Sequence, residues 1–382
     1  MASTLFRRLG NAYRSISAPG ARRDLDDHLA GALAWIARAH AAVDDGGISK
    51  GYHLLRDQWF PSYPETTGYT VPTLLNAAVA LDQPQLRDMA LRLAEYLLAR
   101  AESEGGIVHW KGGGEPVVFD TGQVIFGWLA AYDATGDDRY LEAAMRAGDW
   151  LVSVQDPSGA WTRFQHLGVT KVIDTRVAWA LLELSRRTGR ATSCRRAAER
   201  NLDWAVTQQE ESGWFRRCAF EEGADPITHT LAYTAEGLLE SGLLLGEERY
   251  VDAARRTADA LLARQRPDGS LASTYDAAWR ATRRSSCLAG DCQMGRLWLC
   301  LYDLDGRDEY STAARRAGEI LPGTPDLDRP PPQGRGGVAR PPPHSCWYER
   351  FKYPNWAAKF FVDALLTLEH LEAGGDMLPY AG

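Results

Sequence analysis

The chain has 382 residues, of which 45% are hydrophobic and 24% charged, and it carries a net charge of −7. An acidic surface lacks the basic footprint that phosphate binding needs, so nucleic acid is not an expected partner. No apolar run reaches the ~18 residues of a membrane span, the N-terminus lacks the apolar h-region of a secretory signal, and six cysteines in so long a chain make no disulfide framework; a cytoplasmic protein is expected.

Residues 1–20 read as an N-terminal helical extension, with Leu5, Leu9, Tyr13 and Ile16 as its apolar positions. Asp24, Asp26 and Asp27 follow in the sequence DLDD, and then the first long helix, LAGALAWIARAH, near residue 35. From there helical periodicity dominates. RLAEYLLARAE, RAGDWLVSVQD, RNLDWAVTQQE and RTADALLARQR are copies of one segment, with Leu97, Leu151, Ala205 and Leu261 in matching places at steps of 54, 54 and 56. RRAGEILPG near residue 320 is a further copy. A Gly-bearing turn follows each of the four (EGGIVHW, PSGAW, ESGWF, PDGSL), because Gly stops a helix and accepts a positive φ.

A second element alternates with the first: YPETTGYTVPTLLNAAVAL, VFDTGQVIFGWLAAYDATG, VIDTRVAWALLELSRRTG, ITHTLAYTAEGLLESGLLLG, LAGDCQMGRLWLCLYDLDG and YPNWAAKFFVDALLTLEHL. These helices are apolar almost all round, as helices buried on every side are. The first set carries more Arg, Glu and Asp, as an outer ring in water would. The expected fold is all-α: an (α/α)6 toroid of six helical hairpins, one domain over residues 21–382, its neighbours antiparallel across short connections such as TGDDRYLEAA. The Pro- and Gly-rich stretch 322–345 cannot be helical and reads as a long loop over one end of the ring, a place where lids are found.

Aligned at their first turns, the inner helices present Glu65, Asp120, Asp174, His229, Asp291 and Asn355, at steps of 55, 54, 55, 62 and 64. In a toroid those turns open on one face, so six polar groups would ring one cup. Asp and Asn are also ordinary N-caps, but Glu and His are poor ones, which favours function. Helix N-termini stabilise a carboxylate by ~0.3–1 kcal/mol, while crowding raises the pKa of one member of a group. The divergent pair that results suits acid–base cleavage of a glycosidic bond. Asp120 is assigned as acid and Asp174 as base, with Glu65 as the third possibility. His229 and Tyr233, at i and i+4, are candidate proton shuttles. Arg176 is placed either on a substrate carboxylate or on Asp174. Gln123, Asp291, Gln293, Asn355 and Lys359 are candidates for binding hydroxyls, and Trp59, Tyr63, Tyr69, Trp279, Trp347 and Tyr353 for stacking on sugar rings. Trp110, Trp161 and Trp214, in the outer-helix turns, are expected either to plug the opposite end or, since those turns lead toward the cup, to reach substrate.

RAGDWLVSVQDPSGAW closely resembles the QW repeat of squalene and other triterpene cyclases, with QQEESGWF and QRPDGSL as weaker copies. That resemblance implies the toroid rather than the reaction; DLDD is similar to the acidic motif of class II terpene cyclases but does not sit at an inner helix start. The pattern ETTGY, DTGQ, DTR, HTLAYT and YPNWAAKFF, over roughly residues 50–370, resembles a bacterial group of toroid proteins associated with exopolysaccharide gene sets. More loosely it is similar to unsaturated glucuronyl hydrolases, toroid polysaccharide lyases and the C-terminal domain of glucuronyl C5-epimerases. The resemblance implies a sugar-handling cup with Asp120 and Asp174 as acid and base, an oligosaccharide or small-molecule substrate, possession of no organic cofactor, and a role in polysaccharide or glycosylated natural-product pathways. Hydrolysis, β-elimination and epimerisation stay open, as does the oligomeric state. Two alternatives stand beside it. One is a zinc-dependent or terpenoid-type cyclase or transferase, as in the zinc-holding toroids of protein prenyltransferases and lanthionine cyclases, with Cys287, Asp291, Cys292, His344, Cys346 and His229 as ligands. The other is a non-catalytic glycan-binding toroid.

Overall fold

The structure, a computed structural model, describes residues 25–109, 114–188, 193–320, 337–338 and 351–372. The N-terminal extension, Asp24, Trp110, His344, Cys346, Trp347 and all of the 322–345 stretch except residues 337–338 lie outside the described residues. Twelve α-helices are present among those described: α1 Leu25–Ala41, α2 Pro64–Ala80, α3 Pro84–Leu98, α4 Val118–Thr135, α5 Asp138–Ser153, α6 Thr175–Thr188, α7 Ser193–Thr207, α8 Thr228–Leu245, α9 Glu248–Leu262, α10 Leu288–Asp305, α11 Asp308–Ile320 and α12 Asn355–Glu372. None is long and apolar enough to cross a membrane.

The two periodicities translate into two environments. Every residue of α4 from Val118 to Ala131 is buried, as are Thr175–Ser185 of α6 and Leu288–Leu301 of α10. The helices α3, α5, α7 and α9 bury one stripe and leave the rest in water, the pattern of an outer layer.

The chain divides into two compact units. The larger, residues 63–263 with 274–280, holds α2 to α9. There each inner helix pairs with the outer helix that follows it, and α2, α4, α6 and α8 pack in sequence. Small residues bring the inner backbones together. A Cβ on Gly127 would lie 2.6 Å from the Gly68 carbonyl oxygen, and one on Gly68 2.6 Å from the carbonyl oxygen of Gln123. Pro72 is inside α2 and has no N–H to give the Gly68 carbonyl four residues back, so Gly127 packs on a carbonyl that lacks its helical donor.

The Gly-bearing turns fasten one hairpin to the next. Gln155 Nε2 donates to the Gly159 carbonyl (2.9 Å) and to Ala197 O on α7 (2.8 Å). Gln209 Nε2 donates to Ala253 O on α9 (2.7 Å) and to Thr257 Oγ1 (3.1 Å). Gly159 (φ 92°) and Gly213 (φ 84°) need the left-handed region, and a side chain on either would strike the backbone of Arg200 or Arg256. Trp161 is fully buried, its indole N–H on Leu151 O at 2.9 Å, so it fills the core.

In the other unit α12 packs against α1 and α10, and α10 pairs with α11. A short ladder runs beside them: β1 (Gly51–His53) is antiparallel to β2 (Gln58–Trp59) and to β3 (Lys352–Pro354), with Tyr52 opposite both Trp59 and Tyr353. Gln265 makes the same turn contact here, donating to Gly269 O and to Ala313 O on α11.

Candidate functional site

Glu65, Asp120 and Asp291 are not caps. The N-cap residues of α2, α4, α8 and α10 are Tyr63, Val117, Ile227 and Cys287, none with a side-chain cap bond. Glu65, Asp120, His229 and Asp291 lie further in. The neighbouring threonines do the local bonding: Thr67 and Thr121 hydroxyls donate to the Tyr63 and Val117 carbonyls at 2.8 Å, and that of Thr230 to Ile227 O at 2.8 Å. Thr121 Oγ1 also accepts from the Ile107 N–H (3.0 Å), which fixes the segment leading to His109.

Four inner helices of the larger unit and the segments before them assemble one cluster. Asp120 is 1% exposed, and its Oδ2 lies 2.9 Å from His109 Nδ1. The His109 ring meets Tyr63 edge-on at 4.6 Å and stacks on His166 at 5.1 Å with an interplanar angle of 28°. The Tyr63 phenol is held well above its usual range by burial, then by the charges of Asp120 and Glu65 and its hydrogen bond with Glu65. Tyr69 is raised likewise, first by burial and then by Tyr233, to which it is hydrogen-bonded. Tyr233 carries His229 at 4.2 Å and Phe119 at 5.3 Å. Glu65, Asp120, His229, Tyr63, Tyr69 and Tyr233 therefore do come together.

Asp174 lies next to this cluster in the chain of contacts. It is fully buried, and Gln165 Nε2 donates to its Oδ2 at 2.8 Å, while Oδ1 has no partner among the described residues. Burial pushes its carboxyl up to about 7 against the opposing pull of Lys171 and Gln165. A carboxyl that keeps its proton near neutral pH is not the ionised base expected of Asp174. The Lys171 amine is brought down to about 8 by burial, against the pull of Asp174. Its Nζ donates to the carbonyls of His166 and Val169, both at 2.6 Å.

Several expected residues have other work. Asp120, Asp174 and His229 are almost wholly buried rather than open to water, because the inner helices are packed from their first turn; Glu65 is half-buried, as is His166. Arg176 contacts neither Asp174 nor solvent. It is wholly buried, with Nη1 2.7 Å from Glu236 Oε2 and Nε donating to Gln123 Oε1 at 3.0 Å, and its guanidinium lies 4.8 Å from the Tyr233 ring centre. Arg176 and Gln123 are thus struts between inner helices. Trp279 is 5% exposed and gives its indole N–H to Ser212 O at 2.9 Å.

In the other unit, Trp59 packs on Trp35 (5.4 Å) and Tyr52 (5.2 Å), and Tyr353 is a buried strand residue. Asp291 Oδ1 accepts the Leu271 N–H (2.9 Å), Asn355 Nδ2 donates to Ser49 O (3.0 Å), and Gln293 is 1% exposed. Lys359 is buried against Asp363 at 2.7 Å. These bonds satisfy backbone or pair charge inside the unit, the usual fate of buried polar groups. Asp26 and Asp27 are exposed in the first turn of α1. Among the described residues no three His, Cys, Asp or Glu are placed to hold a metal, Cys287 and Cys292 included.

The sequence reading missed His109, Gln165, His166, Lys171 and Phe220. All five lie between an outer-helix turn and the next inner helix. The usable signal was a histidine 11 and 8 residues ahead of Asp120 and Asp174 respectively.

Residues 64–239, somewhat less than half the chain, match the family model of the squalene-hopene cyclase C-terminal domain. No curated protein matches the chain in sequence. Among solved structures, the unsaturated glucuronyl hydrolase of Bacillus sp. GL1 is similar with a TM-score of 0.71 at 16% identity, over 92% of this chain and 97% of that one. The cellobiose 2-epimerase of Bacillus thermoamylovorans B4167 gives 0.70 at 12% identity, over 96% and 99%. A polysaccharide lyase gives 0.64 at 15% identity, over 91% and 97%. The fold is the α/α toroid that the helix alternation predicts.

Proposed function

Taking the toroid as the frame, we propose that the chain is a carbohydrate-active enzyme that cleaves or remodels a glycosidic bond, with acidic sugars among its substrates. The observation that carries this reading is the Asp120–His109 contact at 2.9 Å. A buried carboxylate that accepts from Nδ1 holds the imidazole in the tautomer whose Nε2 lone pair takes a proton, and it stabilises the imidazolium that results. Asp120 itself is too buried to meet a sugar, whereas the His109 side chain keeps 11% of its surface. His109 is thus the base and Asp120 the group that orients it. Asp174 is as buried as Asp120 and meets no sugar either; it holds Gln165, beside His166. Glu65, half-buried and bonded to Tyr63, is the carboxylate with the most access to water.

A base made of imidazole suits removal of a proton from carbon next to a carboxylate or carbonyl, the step that elimination and epimerisation share. Hydrolysis by two facing carboxylates is the less favoured form. Support for sugars as the substrate class comes from the folds this chain is similar to: a hydrolase described as acting in glycosaminoglycan degradation, a lyase and a sugar epimerase. The match to the cyclase domain supports a second reading, terpenoid cyclisation, but the exposed position of Asp26 and Asp27 gives that reading no acid in an apolar chamber.

The test is incubation of the full chain in D2O with an unsaturated chondroitin disaccharide, a hyaluronan hexasaccharide and cellobiose, read by NMR and mass spectrometry. The expected result is either elimination, seen as a product with a new carbon–carbon double bond, or epimerisation, seen as solvent deuterium at the inverted carbon, each slowed ~10²–10⁴-fold by His109→Gln and by Asp120→Asn. Full rates in both variants would remove the dyad. No conversion of any of the three, by a folded chain, would remove the enzymatic reading.

A further inference from the structure

The segment from Phe164 to Lys171 is held from every side and yet turns apolar surface outward. Phe164 (φ 58°) and Leu167 (φ 61°) occupy the left-handed region without being glycine, a conformation that persists only when the surroundings impose it. Four ties impose it. The Phe164 carbonyl accepts from the Val118 N–H (2.9 Å), two residues before Asp120. Gln165 donates to Asp174. The buried Lys171 amine grips the carbonyls of His166 and Val169. The Val172 N–H donates to Arg217 O (3.0 Å), on the stretch that carries Phe220. The outcome is that Leu167 is 61% exposed and that His166 and Phe220 are half-buried rings. One face of His166 lies on the base His109, and Phe220 stands edge-on to it at 6.4 Å and 83°.

The exposed Leu167 thus adjoins His166, whose ring lies on His109 and meets Phe220. A pyranose ring has an apolar C–H face that covers π and aliphatic surface and a rim of hydroxyls that meets imidazole nitrogen. We propose that His166, Phe220 and Leu167 form a subsite for a second sugar ring, beside the ring that the His109–Asp120 dyad attacks, and that Lys171 is the positioning residue that fastens the loop. This inference rests on the carbohydrate reading above, and it assigns the stacking role to residues other than the tryptophans and tyrosines that the sequence favours.

The experiment is ligand-observed NMR titration of the full chain with two probes, unsaturated chondroitin disaccharide and methyl β-glucuronide. His166→Ala and Phe220→Ala are each expected to weaken the disaccharide at least 10-fold and the monosaccharide less than 2-fold, with His166→Phe restoring most of the loss. Lys171→Met is expected to weaken the disaccharide and to speed proteolytic cleavage within 164–168, while Lys171→Arg restores both. Disaccharide affinity within 2-fold of the parent in both alanine variants would overturn the subsite, as would equal loss of both probes or failure of His166→Phe to restore binding. A parent chain that binds neither probe would instead overturn the carbohydrate reading and the subsite with it.

Discussion

Replacing Asp174 with asparagine should make the protein more stable at neutral pH, and the gain should vanish in acid. The Asp174 carboxyl holds its proton up to about 7 in the fold, against an ordinary value of 3.8. Ionising it in place therefore costs about 4 kcal/mol. Between those limits the folded chain binds a proton that the unfolded chain has released, so the stability this group contributes is complete below about pH 4 and declines as pH rises to about 7. Asparagine has nearly the same shape and no charge to bury. The difference in unfolding free energy, variant minus parent, should rise by about 1.4 kcal/mol per pH unit from pH 4 to 7 and then level off. Urea unfolding followed by tryptophan fluorescence at half-unit pH steps measures it. A difference that is flat across this range, or one that falls with pH, would refute the claim that Asp174 is protonated in the folded protein.

Arg176→Met should cost about 3–5 kcal/mol, because it removes the cation that lies 2.7 Å from the buried Glu236 carboxylate; the double variant with Glu236→Leu should recover part of that loss in thermal unfolding. Gly127→Ala should cost about 1–3 kcal/mol, because the new methyl would meet the Gly68 carbonyl at 2.6 Å and push α2 from α4; an unchanged melting temperature would contradict the close helix approach.

The fold is legible in the sequence because two signals agree. A step of 54–56 residues marks the hairpins, and the change from one-sided to all-round hydrophobicity separates outer from inner helices. Part of the candidate site is legible for the same reason: a residue in the first turn of a repeated helix is placed by the repeat, which sets Glu65, Asp120 and His229 in one cluster, with Asp120 and His229 buried where an open cup is expected. The rest is not legible, because it lies on irregular backbone. Nothing in FQHLG announces that phenylalanine and leucine take the left-handed region, and so nothing tells the direction of His166. Arg176 misleads for a geometric reason. Residues two apart on a helix do not share a face, so Arg176 turns from Asp174 toward Glu236 on α8. Trp59 and Trp279 mislead because a large ring in a short connecting segment is more valuable as core, and Trp279 also finds a backbone partner for its indole N–H.

The most direct measurement of the central claim is a crystal structure of the Asp120→Asn chain soaked with unsaturated chondroitin disaccharide. One sugar ring is expected in contact with the His109 imidazole and the next against His166 and Phe220. Sugar bound elsewhere on the chain at saturating concentration, with His109 and His166 uncovered, would contradict it.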